Sequence, residues 1–103
     1  MATLHIAKDA LRAIEDLPQK ESARIYSHLD ALEDNEVMGL VIKTLRGKVQ
    51  ELVVRQYRVV FFRIDGDIHV RAVFKKQSRK TPRHIIEKAS KDYQTFKYEK
   101  SKT

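Results

Sequence analysis

The chain has no cysteine and no tryptophan, and only three glycines and two prolines among its 103 residues. Without Cys there is no disulfide framework and no thiolate metal site, a composition suited to a reducing cytoplasm. Gly39, Gly47 and Gly66 stand far apart, so no Gly-rich phosphate loop exists and nucleotide-dependent chemistry is disfavoured. Long apolar runs are missing too. The longest, Val59-Val60-Phe61-Phe62, is closed by Arg58 and Arg63, far short of the ~20 residues that span a bilayer. The first residues mix His5, Lys8, Asp9 and Arg12 into the apolar positions, leaving no signal-peptide core. His5, His28, His69 and His84 are scattered without ligand spacing, so neither a metal nor another cofactor is expected.

What remains is 42% hydrophobic, 34% charged and carries a formal +7. These figures fit one small basic domain covering 1–103. The charge is unevenly placed. Residues 1–36 carry 4 basic and 8 acidic side chains, a net −4, whereas residues 37–103 carry 17 and 6, a net +11. The basic excess belongs to one part of the fold and suggests a surface facing a polyanion.

The same boundary separates two periodicities. Leu11, Ile14 and Leu17, then Ile25, Leu29 and Leu32, recur at helical spacing. They predict a helical hairpin with Asp9 as the first N-cap and Pro18 at the break, preceded by a weak strand over Thr3 to Ile6. Beyond Gly39 the period is two. Val49 to Arg55, Arg58 to Ile64 and Ile68 to Phe74 read as strands, the last two joined at Asp65-Gly66-Asp67. The Arg58 run is apolar on both faces, as a central strand covered on both sides would be. Thr81-Pro82 opens a final helix with an apolar stripe of Ile85, Ile86, Ala89, Tyr93 and Phe96. Residues 98–103 are expected to fray. The fold class is α+β: a helical hairpin on a small, mainly antiparallel sheet with a C-terminal helix.

Five cations, Lys75, Lys76, Arg79, Lys80 and Arg83, fall within nine positions with no acid among them. They leave a strand and enter a helix N-terminus, where free amides also favour an anion. A solvated loop is the competing reading. A second cationic group comprises Lys43, Arg46 and Lys48, then Arg55, Arg58, Arg63 and Arg71. Arg58 either pairs with a carboxylate such as Glu51 or reaches over the sheet to grip a phosphate. Tyr57 either stacks on a base or packs in the core.

Three stretches, Lys43-Thr44-Leu45-Arg46 to Glu51-Leu52-Val53-Val54-Arg55, Tyr57-Arg58-Val59-Val60-Phe61, and Phe74-Lys75-Lys76-Gln77-Ser78-Arg79-Lys80-Thr81-Pro82, together resemble the RelE/ParE toxin superfamily, nearest its phage-derived HigB-like branch. The resemblance spans roughly Ala10 to Phe96. It implies a RelE-like fold and the toxin of a type II toxin–antitoxin system: a cytoplasmic, metal-independent mRNA interferase acting on the ribosome, inhibited by a helix-turn-helix antitoxin, with no membrane partner. Carried over by residue, it implies Arg58 at the scissile phosphate and Lys75 and Lys76 for transition-state charge and leaving-group protonation. Arg55, Arg79, Lys80, Arg83, Lys43, Arg46 and Lys48 extend the RNA grip. Two Lys positions of RelE itself fall near Glu51 and Val53, and its late Tyr has no clear equivalent, so either a different base, with Glu51 the candidate, or greater reliance on the ribosome for positioning is expected. The same superfamily admits a ParE-like gyrase inhibitor, and the composition alone admits a noncatalytic RNA-binding module.

Overall fold

The computed structural model describes residues 3–102. Its elements run β1 (Leu4–Ile6), α1 (Lys8–Glu15), α2 (Gln19–Glu33), β2 (Val41–Arg46), β3 (Val49–Val54), β4 (Tyr57–Ile64), β5 (Asp67–Lys75) and α3 (Arg83–Lys102). The strands form one sheet in the order β1-β5-β4-β3-β2. β1 is parallel to β5, and the other pairs are antiparallel. The architecture is the expected α+β arrangement, with β4 in the middle of the sheet.

The four-residue apolar run explains that position. Phe61 belongs to a core shared with Ile14, Ile25 and Leu29 of the hairpin, whereas Phe62 belongs to a second core with Ala89 of α3. Successive side chains of a strand point to opposite faces, so an unbroken apolar run must be covered twice. Phe62 meets Tyr93 and Phe96 edge-on at 5.3 and 5.7 Å between ring centroids, a geometry the ring quadrupoles favour.

Four local expectations change. The N-cap of α1 is Ala7, not Asp9. The Ala7 amide donates to the Val70 carbonyl at 2.9 Å, so the chain turns into the helix as soon as it leaves β1, and Asp9 sits in the first turn, where a negative charge complements the helix dipole. Pro18 lies one position outside α2, as its N-cap. β2 is a strand that the pattern does not announce: most of it is exposed on both faces, so no alternation marks it, and Lys43, Arg46 and a bulge between Thr44 and Arg46 suit a sheet edge that must not recruit further strands. Finally, α3 continues through Lys102. Lys100 Nζ reaches the Asp65 carboxylate at 3.4 Å, a tertiary tie that helical periodicity does not record. No helix of the described residues is long and apolar enough to cross a membrane.

Candidate functional site

Strand register assembles the site. Val41 lies opposite Val53, Val53 opposite Arg58, and Arg58 opposite Phe74. Paired residues share a face, so these four form one row across the sheet on the side that α3 covers. The next row inward is Lys43, Glu51, Val60 and Ala72. Arg58 and Glu51 are thereby diagonal neighbours, which places the guanidinium beside that carboxylate. Its Nε is 3.9 Å from Glu51 Oε2, with 12% of the Arg58 and 2% of the Glu51 side chain exposed.

Each partner is held. Arg58 Nη1 donates to the Arg55 carbonyl at 2.7 Å and to that of Tyr57 at 2.9 Å. The Arg55 carbonyl is available because the β3–β4 turn puts Arg55 in the left-handed region at φ 56°. Nε is buried without a hydrogen bond, since 3.9 Å is too long for one. On the other side of Glu51, Thr81 Oγ1 donates to Oε1. Thr81 is buried as well. The sequence suggests this hydroxyl as a helix cap; here it anchors the entry to α3 on the sheet, beside Arg58.

The cations divide between the two ends of the sheet. Lys75 lies opposite Tyr57, which is buried in the hairpin-side core, so Lys75 belongs to the face away from Arg58. Its side chain is exposed. The Lys76 amide donates to the Gln56 carbonyl at 2.7 Å, which prolongs the pairing by a residue, and alternation returns Lys76 to the Arg58 face. Arg55, exposed in its turn, stands at the same end, and Lys43 is one row inward beside Glu51. Arg79 and Lys80 are exposed in the loop to Thr81, shaped by Ser78 Oγ donating to the Lys80 carbonyl at 2.9 Å. Arg83 opens α3 and pairs with Glu87 at 2.9 Å. Arg46 and Lys48 are elsewhere. They flank the Gly47 turn beside Val49, four residues or roughly 13 Å along β3 from Val53. Lys48 borders a hollow with Gln50, Arg63 and Tyr93, and Arg46 borders a shallow groove along α3 with His84, Lys88 and Lys91.

Arg63 and Arg71 have structural partners. Arg71 Nε donates to Asp92 at 2.9 Å, with its guanidinium 4.9 Å from the Phe96 ring centroid. Arg63 Nη1 donates to Gln50 Oε1 at 3.3 Å. At the far end of the sheet, His5 stacks on His69 at 4.7 Å and its Nε2 lies 3.3 Å from Asp67. Burial foremost, with the neighbouring His5, holds His69 below the usual imidazole range. The Thr3 amide and then His5 hold Asp67 below the usual carboxylate range. Among the described residues, no three His, Asp or Glu side chains converge as a metal site.

The family described as Phage derived protein Gp49-like (DUF891) matches residues 12–94. A chain of the archaeal RelE–RelB complex from Pyrococcus horikoshii OT3 superimposes with a TM-score of 0.66 at 22% identity, covering 77% of this chain and 98% of that one. A chain of the intact E. coli RelBE toxin–antitoxin complex gives 0.60 at 22% identity, covering 76% and 100%. One from the heterotetrameric YoeB–YefM toxin–antitoxin complex of Staphylococcus aureus gives 0.59 at 14%, covering 76% and 99%. No curated protein matches significantly in sequence.

Proposed function

The chain belongs to the phage-derived Gp49-like family, and from that membership and its RelE-type fold we propose that it is the toxin of a type II toxin–antitoxin pair. In this reading it is a cytoplasmic endoribonuclease that cuts mRNA on the ribosome, inhibits translation, and is restrained by a helix-turn-helix antitoxin. The solved structures with this fold include RelE–RelB and YoeB–YefM complexes, which supports a proteinaceous inhibitor as partner. The carrying observation is the placement of Arg58: a nearly buried guanidinium, fixed by two carbonyls and a buried carboxylate, at the sheet end where the loop cations emerge.

Cleavage by a 2′-hydroxyl requires that the hydroxyl lose its proton, that the phosphorane's added negative charge be stabilised, and that the departing 5′-oxygen be protonated. Arg58 is assigned to the phosphate, because its orientation is set before substrate arrives and little reorganisation remains to be done. Lys76, on the same face, supplies further positive charge and a proton donor, and Lys75, exposed on the other face at the strand's end, adds positive charge to the site from a longer range. Arg55, Arg79, Lys80, Arg83 and Lys43 line the approach. Glu51 takes a different role from the base suggested by its place where RelE carries a Lys. It is 2% exposed, with one oxygen bonded to Thr81 and the other facing Arg58, so a substrate hydroxyl has no access to it and gives its proton to solvent water instead. It acts as a positioning carboxylate for Arg58 and for the start of α3. Arg46 and Lys48, at the other end of the sheet, serve contacts away from the reacting phosphate.

Induction in cells tests this reading through the first process to stop. Protein synthesis, followed by pulse labelling, should fall at once and recover when the antitoxin is co-expressed. An early DNA-damage response with protein synthesis intact would instead support gyrase inhibition.

A further inference from the structure

The exposed large apolar side chains include Val37, Met38 and Val41, clustered at the entry to the edge strand β2. Val37 and Met38 lie in the turn before it. Val41 is 54% exposed and starts the row that continues through Val53 to Arg58. Along this row Val41 is exposed and Val53 half-buried. The helix begins only at Arg83, and its approach is pinned by Thr81 to Glu51, one row farther in. Two β-branched side chains thus present a flat apolar surface that ends at a guanidinium. With strands about 4.8 Å apart, Val53 is roughly 5 Å and Val41 roughly 10 Å from Arg58 across the sheet.

A matching ligand carries an anion over Arg58 and a flat, largely apolar group one or two strands away, which describes a nucleotide. Resting on the endoribonuclease reading above, we infer that Val41 and Val53 form a platform for the nucleobase adjoining the phosphate held by Arg58. Charge favours RNA over a protein segment. Lys43 lies next to the row on the same face, alternation brings Lys76 there too, and the carboxylate on that face beside Arg58, Glu51, is buried and engaged. Such a surface makes no hydrogen bonds to base edges, so any preference follows contact area and stacking strength. Purines, with the larger face, are favoured at this position.

The experiment maps new RNA 5′ ends in cells expressing wild type, Val41→Thr or Val41→Tyr. Both substitutions suit an exposed strand. A purine preference at one fixed position beside the cut is expected for wild type. It should weaken in Val41→Thr and sharpen by roughly fivefold in Val41→Tyr, the smaller end of the scale for a base stacked on an aromatic side chain. Unchanged base frequencies in both variants, with wild type cutting normally, overturn the platform and leave the endoribonuclease reading intact. Unchanged frequencies together with lost co-purification of the antitoxin assign the row to a protein partner, which also overturns the platform. A wild-type protein that makes no cuts overturns both readings.

Discussion

Replacing Glu51 with Gln removes one charge while keeping the side chain's shape and an oxygen that can accept from Thr81. The affected pair is Arg58 Nε and Glu51 Oε2, 3.9 Å apart. Unit charges at this distance attract by about 4 kcal/mol at an effective dielectric of 20. Removing one member of a buried pair costs about 3–5 kcal/mol, because the other charge is left uncompensated. Arg58 keeps its two carbonyl acceptors and is 12% exposed, so the expected loss lies near the lower bound, about 3 kcal/mol. For a domain of this size, where each kcal/mol moves Tm by about 4–8 °C, that is roughly 12–24 °C in a thermal melt. Single-turnover cleavage of a ribosome-bound message, measured well below the melt, should fall by less than the ~10²–10⁴-fold typical of a lost general base. Its pH–rate profile should keep the wild-type shape, since a positioning carboxylate takes no proton from the substrate. A Tm close to wild type would refute the energetic argument. A stable variant that loses about 10³-fold in rate and the acidic limb of its profile would make Glu51 the base.

Three further outcomes follow from the same geometry. Lys75→Ala should reduce single-turnover cleavage by tenfold or more through lost transition-state charge, on the order of 1.4 kcal/mol, while Lys48→Ala leaves that rate within about twofold; equal losses would show that the two ends of the sheet act together. Phe62→Ala, at a fully buried ring against Tyr93 and Phe96, should cost about 3–5 kcal/mol in urea unfolding. His69 is harder to protonate folded than unfolded, so the unfolded chain gains the proton first as pH falls through about 6.5. Stability is full above that pH and declines below it, and His69→Gln should flatten the decline between about pH 7 and 5 in chemical-denaturation midpoints. The Asp67 contribution, from a lowered carboxylate, persists through this window and is lost only below about pH 3.8.

The central strand was legible because Val59-Val60-Phe61-Phe62 can satisfy both faces only in the middle of a layered sheet. The helical hairpin was legible from its spacing, and α3 from Thr81-Pro82 and its stripe. β2 was not, since only Ile42 and Leu45 of this edge strand pack on the cores, one on each face with a bulge between Thr44 and Arg46, so regular alternation is lost. The last turn of α3 was hidden for a related reason: its tie to Asp65 joins residues 35 positions apart. The site was legible as a set of cations and not as an arrangement. Lys75 and Lys76 are neighbours in sequence, yet the register opposite Tyr57 directs them to different faces. Lys43 and Lys48 are nearly as close in sequence, yet β2 carries them toward opposite ends of the sheet. Whether Glu51 paired with Arg58 was open until β3 and β4 were aligned, and nothing in the sequence linked Thr81, thirty residues away, to that carboxylate.

RNA cleavage is proposed to take place at the Arg58 end of the sheet. Its most direct test is a transcriptome-wide map of RNA 5′ ends after brief expression of wild type, the exposed-site variant Lys75→Ala, and the double variant Arg58→Ala, Lys75→Ala, each checked for folding by thermal melting. The prediction is a set of new ends in phase with codons for wild type, strongly reduced in Lys75→Ala and absent in the folded double variant. Growth arrest by wild type without new ends, or the same ends at the same frequency in the double variant, would contradict it.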